Sequence, residues 1–341
     1  GRHENNCYLY TYRAKHLHDT IQQTLYTMHT ILGANGQIAT EIARELHRRD
    51  ISDIRLVSRT PHRVAPTDTV VAADLTHADM TDKAVKGSHT VYFAAGLPLD
   101  TVLWEASFPE MMHNVITACE RHNARLVFFD NTYMYPQDGT HLIETTPFRP
   151  VGPKGAVRAR MAEMLLEEIA HGRIEAMICR SAEFYGPENT QSITNSLIFR
   201  RMEQHREASV YLSDSTLRTL MWTPDAGRAV VTLATADDAY GTTWHLPCDD
   251  NRPTYREFIV AAEQAADTSI PYRILSMREL ERMMEVNPRV REIEELLPRY
   301  GTDCIFDSSK FKQRFPDFRV TTYVDGIHKI IDEMTTHKQP A

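Results

Sequence analysis

The chain has 341 residues, of which 42% are hydrophobic and 25% charged, as expected for a globular protein with one large or two smaller domains. The formal net charge is -8, and the sequence contains no run of like charges. Both observations argue against a protein that binds nucleic acid. No apolar run approaches the roughly 18 residues of a membrane span, and the five cysteines have neither metal-ligand nor CxxC spacing, so we expect a cytoplasmic protein with reduced thiols and no metal site.

Residues 1–27 differ in composition from the rest of the chain. They are polar, rich in His and Tyr, and lack the apolar core of a signal peptide. We expect an extension outside the folded core, because the first strand pattern begins at Met28. The alternative is an N-terminal helix, since Leu17, Ile21 and Leu25 fall on one helical face.

Short apolar strands alternate with helical patterns between residues 28 and 181. Strands are predicted at HTIL, IRLVS, TVVAAD, HTVYFAA, RLVFFD and EAMICR, and helices at 37–48, about 107–121 and about 154–170. The strands are apolar throughout, as expected when both faces of a sheet are covered. This order predicts an α/β protein with a Rossmann-type, doubly wound parallel sheet.

The alternation weakens after Ser181. An irregular stretch, EFYGPENTQSITN, is followed by short strands at ASVYL and TTWHLP and by helices near 196–205, 254–266 and 277–286. We therefore expect a nucleotide-binding domain at 28–181 and a smaller substrate-binding region at 182–341, partly interleaved with the sheet.

The segment GANGQIA, directly after the first predicted strand, has the character of a nucleotide-binding turn. Gly33 can adopt the backbone angles of an abrupt turn, Gly36 leaves room for a pyrophosphate, and Ala39 keeps the helix close to the strand. The helix would direct free N–H groups at the phosphates. Because the spacing is GxxGxxA rather than GxGxxG, a tight turn without a ligand is the alternative. The cofactor residues predicted here are Gly33, Asn35, Gly36, Gln37 and Ile38.

The end of the second strand favours one nicotinamide cofactor over the other. An NAD enzyme is expected to carry an acidic residue there for the ribose hydroxyl, but the chain has Ser58 and Arg59, with Arg63 close behind. An arginine suits the 2′-phosphate of NADP, so we predict NADP, with NAD as the alternative. A solvent-exposed arginine without a ligand is the other interpretation.

Several further motifs follow in a characteristic order, and with them the chain resembles the extended or atypical short-chain dehydrogenases/reductases of the NAD-dependent epimerase/dehydratase kind, from about Met28 to about Asp332. The resemblance implies that Asp74 and Leu75 of AADLTH contact the adenine. It also implies cofactor contacts for VYFAAG, namely Ala94, Ala95 and Gly96. The other matching segments are HNVITACERH, VFFDNTYMYP, CRSAEFYGPEN, MWTPDAGRAVVTL and FDSSKFKQRFPDFRVTTYVDGI.

The catalytic pair of that family, a Tyr and a Lys in the spacing YxxxK, does not occur at the matching place. Lys154 stands at the Tyr position and Arg158 at the Lys position. The family's Ser or Thr on the preceding strand corresponds to Asn131 or Thr132. By the resemblance, Arg158 would hold the nicotinamide ribose.

A different residue must then supply the proton. Tyr133 follows the fifth strand, at the edge where open α/β sheets bind ligands, and Arg158 nearby would lower its pKa. Lys154 is the second candidate, if burial and a cationic neighbour lower its pKa. A packed aromatic ring and a solvated lysine are the corresponding structural interpretations.

The sequence thus predicts an NADP-dependent oxidoreductase that acts on a small-molecule carbonyl or secondary alcohol. A sugar-nucleotide epimerase or dehydratase is the alternative within the family. A protein that binds NADP(H) without turnover, as a sensor or scaffold, is the alternative from another class, because YxxxK is missing. The predicted partners are a small-molecule substrate and, as a possibility, a second copy of the chain.

Overall fold

The computed structural model describes residues 28–188 and 190–336, so the predicted alternatives for residues 1–27 lie outside the described residues. The strands of the central sheet are β1 His29–Leu32, β2 Ile54–Ser58, β3 Thr69–Ala72, β4 Thr90–Phe93, β5 Arg125–Asp130, β6 Ala176–Arg180 and β10 Thr243–His245. These seven strands lie in the order β10-β6-β5-β4-β1-β2-β3, and every neighbouring pair is parallel. The predicted doubly wound parallel sheet is confirmed.

Helices cover both faces of this sheet, which explains why β1, β4 and β6 are buried along their whole length. The helices of the first half are α1 Gln37–Arg48, α2 Ala78–Val85, α3 Thr101–His122 and α4 Pro153–Ala170. Helix α7, Thr223–Ala234, packs on α1, and a Cβ on Gly227 would lie 2.6 Å from the backbone of Glu41. The glycine therefore sets the close approach of these two helices.

The C-terminal region has a core of its own, which includes Tyr185, Trp222 and Phe258. Two small parallel sheets lie here, β7 Glu183–Tyr185 with β9 Leu220–Trp222, and β8 Ala208–Tyr211 with β11 Tyr272–Leu275. The other helices are α5 Ile193–Leu197, α6 Phe199–Glu203, α8 Tyr255–Ala266, α9 Met277–Val286, α10 Pro288–Arg291, α11 Ser309–Arg314 and α12 Tyr323–Thr336. No helix in 28–188 or 190–336 has the length and apolar character needed to cross a membrane.

Two predicted helices differ from the structure, one in its start and the other in its continuity. Helix α3 begins at Thr101, six residues before its predicted start, because Asp100 caps it by accepting a hydrogen bond from the Leu103 amide. Pro109 lies inside this helix. The helix predicted near 196–205 is two short helices, α5 and α6, interrupted at Ile198, whose ψ of -77° departs from helical geometry.

Candidate functional site

The glycine turn connects β1 to α1 at the carboxyl edge of the sheet. Gly33 has φ +101°, and a Cβ there would lie 2.4 Å from the Cα of Ala95. Only glycine fits this position, because both the backbone angle and the neighbouring strand exclude a side chain. Gly36 precedes α1 with no side-chain cap, and no acidic residue lies in the first turn of the helix. The N–H groups of this turn therefore have no carboxylate acceptor within the helix.

The remaining residues predicted in this turn have distinct positions. Asn35 has φ +76°, and its amide ties the turn to the loop after β2. Its Nδ2 donates to the Thr60 carbonyl at 2.6 Å, and its Oδ1 accepts from the His62 amide at 2.9 Å. Gln37 Oε1 accepts from the Gln191 amide at 2.6 Å, whereas Ile38 is buried in the core.

The ends of β2 and β3 carry the residues predicted to recognise the adenosine. Arg59 is exposed, and the Ser58 hydroxyl is buried without a hydrogen-bond partner among the described residues. Asp74 accepts hydrogen bonds from the hydroxyl and amide of Thr76; these bonds, with a smaller contribution from Arg59, lower the pKa of Asp74. Leu75 is buried, and its carbonyl accepts from the side-chain Nδ2 of Asn114 at 3.0 Å.

Ala94, Ala95 and Gly96 lie directly after β4, beside the glycine turn. The structure therefore brings together the residues predicted around this turn from β1 and β4. They surround the uncapped first turn of α1.

The two residues at the positions of the family's catalytic pair are both buried in ion pairs. Arg158 donates from Nε and Nη2 to Oδ1 of Asp130, at 2.9 and 2.6 Å, and its guanidinium lies over the rings of Phe108 and Phe128. Asp130 is fully buried at the end of β5, and its Oδ2 also accepts a hydrogen bond from Nε of Arg180 at 3.2 Å. Two guanidinium groups thus share one carboxylate.

A hydrogen-bonded chain continues from Arg180 away from this carboxylate. Arg180 Nη1 lies 2.7 Å from the Tyr135 hydroxyl, which lies 2.8 Å from Nε2 of His245. Nδ1 of His245 is 2.7 Å from the Asp307 carbonyl, which can only accept, so Nδ1 carries the proton and Tyr135 donates to Nε2. Burial lowers the pKa of His245 to about 3, which keeps its ring neutral.

Lys154 is 2% exposed and its ammonium group is fully coordinated. Nζ donates to Thr101 Oγ1 at 2.7 Å and to the Glu292 carbonyl at 2.8 Å, and it pairs with the carboxylates of Glu292 at 2.6 Å and Glu295 at 3.2 Å. Partial burial opposes ionisation of Glu292, but hydrogen bonds from Lys154 and Thr101 outweigh it and lower the pKa of Glu292. All three N–H donors of the lysine therefore have acceptors within the protein.

Tyr133 lies between the two halves of the chain. Its ring stacks on Trp104, with 5.9 Å between centroids, and the guanidinium carbon of Arg299 is 5.0 Å from its centre. Burial raises the pKa of Tyr133, while the positive charge of Arg299 acts in the opposite direction. Asn131 Oδ1 accepts from the Tyr133 amide at 2.9 Å, and Thr132 Oγ1 lies 3.5 Å from Nη1 of Arg299.

A cavity of about 20 Å³ lies beside these residues, large enough for about one water molecule. Residues from both halves line it, among them Thr132, Gln137, Arg299 and Cys304. The sequence did not predict Glu292, Glu295, Arg299 or His245 at this site. No spacing could have indicated them, since Glu295 is 141 residues from Lys154.

The comparisons with known proteins concern the same part of the chain. The model of the NAD dependent epimerase/dehydratase family matches residues 29–245. A comparison with curated protein sequences gives no match.

Solved structures are similar over most of the chain. A UDP-glucose 4-epimerase of Thermus thermophilus, in complex with NAD, has a TM-score of 0.72 at 17% identity and covers 90% of this chain and 99% of its own. A UDP-glucuronic acid 4-epimerase of Bacillus cereus, with UDP-glucuronic acid and NAD, has a TM-score of 0.76 at 14% identity, covering 91% and 99%. MoeE5, with UDP-glucose and NAD, has 0.73 at 18% identity, covering 92% and 100%.

These matches correct the predicted function. The prediction of an NADP-dependent reductase of small carbonyl compounds is wrong, because the family and the similar structures are those of epimerases and dehydratases. The NADP preference has no support in them either. The sequence motifs that suggested a reductase concern the nicotinamide cofactor, which reductases and epimerases share, and an exposed Arg59 does not distinguish the two cofactors. The chain belongs to the NAD-dependent epimerase/dehydratase family.

Proposed function

We propose that the protein binds NAD at the glycine turn and acts on a sugar nucleotide held between the sheet and the C-terminal region. The observation that carries this proposal is the match of the epimerase/dehydratase family over residues 29–245. This range includes nearly all of residues 28–181, which we call the glycine-turn half, and the start of the C-terminal region that follows. Similar structures that contain NAD and UDP-sugars support the choice of ligands.

Residues of the chain fit the cofactor at three points. The first turn of α1 lacks a side-chain cap, so its N–H groups suit a pyrophosphate. A Cβ on Gly36 would meet only Gly33 O at 3.1 Å and Ala94 O at 4.0 Å, which leaves its other side open to a phosphate. The buried Ser58 hydroxyl lacks a partner among the described residues, and a ribose hydroxyl would supply one.

The chemistry that bound NAD would supply at this turn is reversible hydride transfer with the sugar. We propose that Tyr133 moves the accompanying proton. It is a phenol three residues after the end of β5. Burial raises its pKa, and the positive charge of Arg299 over its ring opposes that rise and so favours the phenolate that forms when the proton leaves. Lys154 is less suited to this role, because its three donors are already engaged with Thr101, Glu292 and Glu295.

A second function is favoured by one specific observation. Lys154 and Arg158, at the positions of the family's catalytic pair, both lie in internal ion pairs. A protein that binds NAD and a sugar nucleotide without converting the sugar would have this arrangement. Its role would be that of a sensor or scaffold.

Turnover distinguishes the two functions. Purified protein is first titrated with NAD, then incubated with NAD and UDP-glucose or UDP-glucuronic acid, and the C4 epimers are separated by chromatography. We expect epimer formation in the wild type and a roughly 10²–10⁴-fold lower rate in Tyr133→Phe, with NAD affinity unchanged.

The matched control is Tyr240→Phe. Tyr240 also lies under an arginine, with Arg125 at 5.0 Å, but its hydroxyl donates to the carbonyl of Ala234. The control should retain the wild-type rate. Binding of both ligands with no epimer from the wild type would favour the sensor or scaffold, and no NAD binding would refute both functions.

A further inference from the structure

Residues 288–300, which we call the strap, connect the C-terminal region to the site. The strap comprises α10 and a 3₁₀ turn, Glu294–Tyr300. Its Glu292 carboxylate accepts from the amide and hydroxyl of Thr101, at 3.0 and 2.8 Å, and pairs with Nζ of Lys154. One carboxylate of the strap thus lies at the N-terminus of α3.

Glu295 makes the corresponding contact with α4. Its Oε1 accepts from the Lys154 amide and its Oε2 from the Gly155 amide, both at 3.2 Å. A Cβ on Gly152 would lie 2.5 Å from Oε2, so the absence of a side chain there admits the carboxylate. A negative charge at a helix N-terminus is favourable, and Lys154 neutralises part of the pair.

The strap is attached differently to the two halves of the protein. Its Ile293, Leu297 and Tyr300 are buried in the core of the C-terminal region. Its contacts with the glycine-turn half include the polar contacts of Glu292 and Glu295 and a hydrogen bond from Gln137 Nε2 to the Glu295 carbonyl at 3.0 Å. Separation of the strap from α3 and α4 would break these ion pairs and hydrogen bonds, together with the contacts of Arg299 with Thr132 and Tyr133.

Arg299 of the strap covers Tyr133 and Thr132. Its guanidinium carbon lies 5.0 Å from the centre of the Tyr133 ring, and its Nη1 lies 3.5 Å from Thr132 Oγ1. The adjacent cavity, which Thr132, Arg299 and Cys304 line, has about 20 Å³, room for about one water molecule. Movement of the strap away from β5 would therefore enlarge the space in front of Thr132 and Tyr133.

We propose that Glu292 and Glu295 form a latch on Lys154 that holds the strap over the site, and that the strap must open to admit a ligand to Tyr133. Lys154, at the position of the family's catalytic tyrosine, then serves as the anchor of this latch. The identity of the admitted ligand, a sugar nucleotide, and the choice of Tyr133 as the residue that it reaches rest on the function proposed above.

The test compares the wild-type chain with the double variant Glu292→Gln/Glu295→Gln. Glu294→Gln is the matched control, because it removes the same charge from an exposed residue of the strap. Hydrogen exchange by mass spectrometry reports opening of the strap, and the rate of Cys304 alkylation reports access to the cavity. Neither measurement needs a ligand.

We expect the double variant to exchange amides of the strap and to react at Cys304 at least tenfold faster than the wild type and the control. If the double variant unfolds, Glu292→Gln alone gives the same comparison. Equal exchange and alkylation in all folded variants would overturn the latch. So would faster exchange without faster alkylation, since the strap would then open without exposing the cavity.

Titration with UDP-glucose in the presence of NAD separates this proposal from the proposed function. An open strap removes the energetic cost of opening, so the double variant should bind several-fold more tightly than the control. Unchanged or weaker binding in an open variant would refute the gating role. If neither wild type nor variant binds a sugar nucleotide, the proposed function fails, while exchange and alkylation still decide on the latch.

Discussion

Arg158 and Asp130 form a buried, doubly hydrogen-bonded ion pair at the end of β5, with Nε and Nη2 of Arg158 at 2.9 and 2.6 Å from a single carboxylate oxygen. By the family resemblance, Arg158 would contact the nicotinamide ribose. The structure instead gives its guanidinium a carboxylate partner and two aromatic rings, Phe108 and Phe128, as neighbours. A stability role for this arginine is therefore testable separately from a cofactor role.

Replacement of Arg158 by Met should lower the free energy of unfolding by about 3–5 kcal/mol, because it leaves a buried carboxylate short of a partner. Urea denaturation measures this loss. The double variant Arg158→Met/Asp130→Asn should not recover this loss, since the change at Asp130 leaves the buried guanidinium of Arg180 without its carboxylate. A weaker NAD affinity at unchanged stability would show instead that the guanidinium acts on the cofactor.

Gly33→Ala should both destabilise the protein and weaken NAD binding. The added Cβ would lie 2.4 Å from the Cα of Ala95, in addition to the strain of a positive φ. Gly87→Ala is the matched control, because Gly87 has φ +78° but nothing within 4 Å of its Cβ position. We expect a loss of about 1–2 kcal/mol from backbone strain in the control and a larger loss at Gly33. Equal losses at both positions would mean that the turn relaxes away from Ala95.

NAD should bind at least as tightly as NADP. Arg59 is exposed, and the ionised carboxylate of Asp74 is close enough for the two charges to interact, which weakens the attraction of Arg59 for a 2′-phosphate. Fluorescence titrations with both cofactors measure the preference, and Arg59→Ala should change NAD affinity by less than about threefold. Tighter NADP binding that Arg59→Ala abolishes would restore the arginine to a phosphate-binding role.

Acid should destabilise the fold through His245. Its pKa is lowered to about 3 in the folded protein, against about 6.5 in an unfolded chain, so the unfolded state binds more protons between these values. The stability that it contributes is present above pH 6.5 and is lost as the pH falls toward 3, by up to about 1.4 kcal/mol per pH unit. Melting temperatures of wild type and His245→Asn between pH 7 and pH 4 should show a shallower decline in the variant. Parallel curves would contradict this.

The alternating strands and helices predicted the sheet because each βα unit is encoded locally. Strands β1, β2 and β4 are short segments rich in apolar and β-branched residues, and the glycine turn follows β1 directly. The helix ends were less accurate where a side chain such as Asp100 decides them.

The surroundings of the candidate catalytic residues could not be predicted in this way. Lys154 and Arg158 are four residues apart. The carboxylate of Glu295 on the strap, however, is 141 residues from Lys154, and the carboxylate of Asp130 on β5 is 28 residues from Arg158. Whether a buried cation faces a ligand or a carboxylate depends on such distant contacts, because both environments satisfy the same charge. The sequence identified the positions, while the partners come from the tertiary fold.

The pairing of β10 with β6 has a consequence for how the chain can be divided. Residues 243–245 complete the sheet by adding next to a strand that is buried along its whole length. A fragment that ends at residue 181 would expose the unpaired backbone of β6 to solvent and to other chains, which is a template for aggregation. The glycine-turn half thus cannot be separated from the strand that follows it much later in the chain. During synthesis its sheet remains open at one edge until the chain has been extended past residue 245.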